Sequence, residues 1–240
     1  MMSAWVFTVA CGAHPGGAAR AGRPPDGSMA PDGTGIAYRL EWGGRVVGRE
    51  RIAFGRSEGF DQWVGHVTQT EPLETELRWE VWLDPSRGEP AGFEVRLALA
   101  GEALRTRGWR DGDRFRFERR GFGDVETGAV GYGAGTVVDL ASPLSWWWAA
   151  GRLAHRMDPG EGADVRLLAV RPPALAPEIR VVRLARKAGV DGGLEIEGPG
   201  DETTTIQLDR DGWPERVETD RPHWGRSLIR RRETVEAVGR

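Results

Sequence analysis

The segment "LETELRWEVWL", residues 73–83, alternates with a period of two. Leu73, Thr75, Leu77, Trp79, Val81 and Leu83 fall on one side; Glu74, Glu76, Arg78 and Glu80 fall on the other. Successive side chains of a strand point to opposite faces, so the pattern demands a sheet with one dry face and one wet face. One-sided burial belongs to antiparallel sheets, because parallel sheets are covered on both faces. Trp82 breaks the polar side and is expected there as an exposed aromatic or an interface residue.

The same period runs through most of the chain from residue 36. "IAYRLEW" sets Ile36, Tyr38, Leu40 and Trp42 on one side, and Gly43-Gly44 offers a two-residue hairpin turn into "RVVGRERIAF". "QWVGHV" is a shorter candidate, and "RFRFERR" points Phe115 and Phe117 inward. After a proline-rich spacer, "RPPALAPE", come "IRVVRLAR", "LEIEG", "TTTIQLD" and "PERVET". Turn signals recur at short intervals, as an all-β architecture requires. The expectation is a mainly β fold, an antiparallel β-roll or open β-barrel of roughly twelve strands with one short helix, in a single domain over residues 36–240. A glycine-rich run, 121–135, is expected to be a loop. It lacks the strand-then-helix context of a dinucleotide fingerprint.

The one convincing helix lies in "VVDLASPLSWWWAAGRLAH", residues 137–155. Ser142 suits the N-cap and Pro143 the first helical position. Helical neighbours are about 100° apart, so Trp146, Trp147 and Trp148 together span roughly 200° and cannot share one buried stripe. Leu144, Trp147 and Trp148 stand at helical spacing and can face a sheet together. Trp146 is expected to face away from the main core. These four residues, Leu144, Trp146, Trp147 and Trp148, are the candidate ligand-binding set, with core packing as the plain alternative.

Catalytic motifs are absent from the sequence, and no catalytic or metal-ligating residues and no cofactor are assigned. The four histidines, His14, His66, His155 and His223, have no companion at ligand spacing. "LDRDGWP", 208–214, holds Asp209, Asp211 and Gly212, but the spacing fits a hairpin turn rather than a calcium loop. A net charge of −3 gives no electrostatic footprint for nucleic acid. Of the 33 basic residues only Lys187 is lysine, which leaves almost no candidate for Schiff-base chemistry.

Residues 1–11 hold a short apolar run ending in Cys11, the sole cysteine. The glycine-, proline- and alanine-rich stretch 12–35 that follows has the composition of a flexible linker. The run resembles a bacterial lipoprotein signal, with Cys11 as the lipid anchor, although its n-region has no Lys or Arg. It implies a cell-envelope address on the periplasmic side; a non-lipidated export signal and an untargeted cytoplasmic N-terminus are the alternatives.

The order of motifs resembles a bacterial family of exported β-rich proteins of unknown function. "GGRVVGRERIAF" matches its opening hairpin; Asp139 and Ser142 match its helix start; Pro159 and Gly160 its turn; Asp209, Asp211, Gly212 and Pro214 its late hairpin. The tryptophans of the helix depart from that pattern. The resemblance implies a curved antiparallel sheet, similar to the rolls of glycolipid-binding and lipoprotein-carrier-like proteins that hold acyl chains on a concave face. The leading expectation is a non-catalytic envelope protein binding an apolar, lipid or glycolipid ligand, touching the membrane only through its anchor. The alternatives are a structural or interaction module with a solid core and an envelope protein partner, and a carbohydrate-active hydrolase.

Overall fold

The computed structural model describes residues 35–71, 74–99, 101–121, 123–133, 135–190, 192–198, 202–220 and 227–233. The expected signal with Cys11, the linker up to residue 34, Leu73, His223 and the last residues lie outside them, and the side chain of Trp148 is not described.

Eight strands follow one another: β1 (Gly35–Trp42), β2 (Arg45–Ser57), β3 (Phe60–Gln69), β4 (Thr75–Asp84), β5 (Glu89–Leu99), β6 (Glu102–Asp111), β7 (Arg114–Gly121) and β8 (Asp124–Gly131). A short β9 (Val137–Asp139), a 3-10 turn (Pro143–Ser145) and α1 (Trp147–Ala154) come next. The chain then returns through β10 (Gly162–Val170), β11 (Pro177–Arg186), β12 (Gly193–Glu197), β13 (Thr203–Leu208), β14 (Pro214–Asp220) and β15 (Leu228–Arg232). All fifteen strands form one sheet, ordered β8-β7-β6-β5-β4-β3-β2-β1-β15-β14-β13-β12-β11-β10-β9. The fold is thus two meanders fused where β1 pairs with β15. Every pairing is antiparallel except that of β9 with β10.

The mainly β expectation holds, with more strands than the dozen anticipated. The glycine-rich run is not simply a loop, because most of it is β8, the edge strand of the first meander. Gly128 of that run shares a pattern with Gly65 of β3 and Gly108 of β6. Along the inner face Gly65 sits opposite Trp79, Gly108 opposite Phe93 and Gly128 opposite Phe117. A Cβ on Gly65 would lie 1.9 Å from Trp79 Cε2, one on Gly108 2.3 Å from Phe93 Cε1, and one on Gly128 2.5 Å from Phe117 Cζ. Each ring occupies the space over its neighbour's bare backbone. Glycines opposite large rings let a sheet bend without opening its ladder.

The bend brings the two ends of the sheet together, with β8 against β11 and β9 against β5. The proline-rich segment between β10 and β11 is a latch rather than a spacer. Leu175 is fully buried, Thr106 Oγ1 of β6 donates to its carbonyl at 2.7 Å, and Arg119 of β7 donates to the Ala174 carbonyl at 2.9 Å.

The segment between β8 and β10 forms a plug inside the roll. Leu140, Leu144 and Trp146 join one continuous apolar cluster with side chains of both meanders. The plug is fixed by polar groups. Ser142 Oγ donates to Glu50 Oε1 at 2.6 Å and accepts from the Leu144 amide at 3.2 Å. Ser145 Oγ donates to the Ser142 carbonyl and accepts from the Leu140 amide. Glu50, 0% exposed on β2, receives Arg230 Nε of β15 at 2.8 Å on its other oxygen. Glu50 is opposite Tyr38 and Arg230 opposite Leu40, so the pair reaches diagonally across the inner face of β1.

Trp82 corrects the reading of a uniformly wet outer face: it is 2% exposed. Its neighbours across the ladder are Gln62 and Gly92, and Gln62, Glu94 and Arg107 are buried with it.

Breaking a buried ion pair from one side leaves the other charge desolvated, whereas replacing both sides removes the penalty. Arg230→Met is therefore expected to lower stability by about 3–5 kcal/mol, and Glu50→Leu/Arg230→Met to recover most of that loss. Urea unfolding of the three proteins checks this; equal loss in single and double variants would refute it.

Candidate functional site

The expected continuous helix is interrupted, and the interruption decides where the tryptophans go. The 3-10 turn is capped by Ser142 and ends at Trp146, whose backbone (φ −137°, ψ 6°) is not helical; α1 starts one residue later. The 100° step used to place Trp146 does not apply across this break. Trp146, expected to face away from the core, is 2% exposed within it, and Leu144 is fully buried beside it. Trp147, 7% exposed, belongs to the same cluster and also lines an open groove.

There Trp147 meets three rings that the sequence reading did not bring together. Phe54 of β2 and Trp63 of β3 are directly paired across the ladder, with centroids 5.2 Å apart. Trp213 lies 5.4 Å from Phe54 and nearly parallel to it, at 28°, and 5.0 Å from Trp147. Trp63 stands edge-on to Trp147 at 5.9 Å and 81°. Separations of this size are those of favourable offset and edge-to-face pairs, each contributing about 0.5–1.5 kcal/mol beyond area burial. Phe54, Trp63 and Trp213 remain partly exposed.

These rings floor an open groove of about 650 Å³. Gly151 and Leu208 complete its apolar lining, and His155, Arg156, Asp211 and Gly212 form its polar margin. Gly151 has room for a side chain: a Cβ there would meet Leu208 Cδ1 of β13 at 3.8 Å, an ordinary contact. His155 and Asp211 line the same groove, but no hydrogen bond joins them among the described residues.

The turn carrying Trp213 is held from three directions. Asp209 Oδ1 accepts from the amides of Asp211 and Trp213, each at 2.9 Å, and the Asp209 amide donates to the Trp213 carbonyl at 2.8 Å. Arg232 of β15 bonds the other carboxylate oxygen at 2.7 Å. From inside, the Tyr38 hydroxyl donates to the Pro214 carbonyl at 2.9 Å. Burial raises the Tyr38 pKa far above the ordinary phenol value, which keeps the group a donor. "LDRDGWP" is therefore the hairpin turn expected, with Gly212 at φ +82°. The overlooked cue was the tryptophan: a large ring placed in a turn has no strand face to bury it.

Among the described residues no helix is long and apolar enough to cross a membrane, and no three His, Cys, Asp or Glu side chains gather as a metal site. No protein-family model and no curated protein matches the chain. It is similar to a solved structure of a DUF1089 family protein from Pseudomonas aeruginosa, at 15% identity and a TM-score of 0.47, over 69% of this chain and 87% of that one.

Asp209 makes the turn sensitive to acid. Burial pushes its carboxyl up, but the Trp213 amide, the Arg232 guanidinium and the Asp211 amide together outweigh burial and hold it below the ordinary aspartate range. A folded value below the unfolded one stabilises fully above the unfolded pKa of about 3.9, and that contribution is lost as pH falls through the folded value. An acid titration of tryptophan emission is expected to show a transition below about pH 4. Asp209→Asn should abolish this transition; an unchanged titration in that variant would refute the assignment.

Proposed function

We propose that this protein is a non-catalytic binding protein that takes an apolar or lipid-like ligand in the groove floored by Phe54, Trp63, Trp147 and Trp213. One observation carries the reading: packed rings with partly exposed faces border an open groove rather than closing over it. Its volume, about 650 Å³, lies in the range of small-molecule sites. A ligand laid on these rings would gain about 25 cal/mol for each Å² of apolar surface removed from water. Of the residues read from the sequence as ligand-binding, Trp147 lines the groove and supports the reading, Leu144 and Trp146 are buried in the core, and the side chain of Trp148 lies outside the described set.

A second reading is favoured by the filled interior around Trp146: an interaction module whose exposed rings receive a protein partner. The two readings differ at Gly151. Replacing a helical glycine by a residue with a side chain favours the helix by about 0.5–1 kcal/mol, while a long side chain there grows into the groove. Gly151→Met is expected to keep or raise the melting temperature and to abolish binding of a fluorescent fatty-acid probe. Native mass spectrometry of the parent protein should show a co-purified apolar molecule that the variant lacks. Retained probe binding in Gly151→Met, or a parent protein free of small molecules that binds no probe, would sink the ligand reading.

The address belongs to the same proposal. An anchor at Cys11 followed by a tether would place the roll at the cell envelope, on the periplasmic side. Expression in a bacterial host is expected to put the protein in the membrane fraction, and Cys11→Ser to release it; equal partitioning of the two would remove the anchor.

A further inference from the structure

The lining of the groove includes exposed charges of both signs. Arg156 stands just past the end of α1, next to His155, and Asp211 sits in the turn between β13 and β14. Arg156 forms no ion pair among the described residues. Asp211 touches only the Arg210 guanidinium, at 4.0 Å, with side chains 94% and 70% exposed, a contact of negligible hold. Asp209, two positions earlier, behaves differently, being bound by Arg232. Arg156 and Asp211 are thus two open charges that border one aromatic floor without closing on each other.

Resting on the groove as the ligand site, we infer that its occupant is a zwitterionic amphiphile of the phospholipid type, its phosphate drawn to Arg156 and its ammonium to Asp211 and the Trp213 ring. Guanidinium groups match phosphate oxygens with forked, charge-assisted hydrogen bonds. Tryptophan faces attract alkylammonium groups, and a carboxylate beside them adds to that attraction. An acidic head alone would engage Arg156 and be repelled by Asp211. A cationic head alone would leave Arg156 facing like charge. A head carrying both signs is complementary to both charges, while the acyl part covers Phe54, Trp63 and Trp147.

The test is a set of tryptophan-fluorescence titrations on the full chain with four probes below their micellar concentrations. They are dihexanoylphosphatidylcholine, octyl glucoside, decanoate and decyltrimethylammonium. The phosphatidylcholine is expected to bind about tenfold tighter than octyl glucoside, the scale of one charge-assisted contact. Arg156→Gln and Asp211→Asn, both at exposed positions, should each bring that ratio close to one while circular dichroism shows an unchanged fold. Equal affinity of phosphatidylcholine and octyl glucoside, or tighter binding of decanoate or decyltrimethylammonium, overturns the headgroup assignment and leaves the groove an apolar site. Binding of none of the four removes the groove reading and this inference together.

Discussion

The pairing of Glu50 with Arg230 inside the roll is the contact on which the rest turns. Two charges out of water are costly unless every lone pair and donor finds good geometry. Here one carboxylate oxygen takes the guanidinium and the other takes the Ser142 hydroxyl. Three parts of the chain meet at one carboxylate: the first meander supplies Glu50, the second supplies Arg230, and the plug supplies Ser142. An apolar contact could tolerate slippage among them; a carboxylate with both oxygens committed does not. The register of β1 between its neighbours, the entry of the plug and the position of Trp147 are set together.

The groove inherits this geometry. Its rings come from β2 and β3, from the start of α1 and from the turn before β14, so no part of the chain contains the site by itself. Tyr38 ties the inner face of β1 to the Trp213 turn, and Arg232 ties the last described strand to Asp209. Polar contacts hold the Trp213 turn from behind, while Phe54, Trp63 and Trp147 are held by ladder pairing and by their own ring contacts.

Much of the architecture was legible because it is local. Alternation from Leu77 to Leu83 identified β4 and its inner face, and Gly43-Gly44 and Asp211-Gly212 identified turns by backbone needs that few other residues meet. What depended on distant partners was not legible. Glu50 stands between Arg49 and Arg51 and looks like one charge in a solvated run; its partner is 180 residues away. Gly128 looked like loop because the ring that needs its missing Cβ is on another strand. Trp146 was misplaced by assuming an unbroken helix, and Trp82 by assuming that every outward position is wet. Trp147 was singled out, but Phe54, Trp63 and Trp213 became its companions only through the curl of the sheet.

The join between β1 and β15 has a kinetic meaning. Within each meander, strands pair with their sequence neighbours, contacts that form quickly because little chain must be ordered to close them. The β1–β15 ladder instead links residues such as Leu40 and Arg230 across almost the whole described chain. Such closure carries the largest loop entropy of any strand pairing in the sheet. Phe54 and Trp63 lie on one side of that seam and Trp213 on the other. A ligand of the proposed kind, seated among them, would recognise only chains whose seam has zipped, so its binding would deepen the closed state by mass action and act as a clasp on the finished roll.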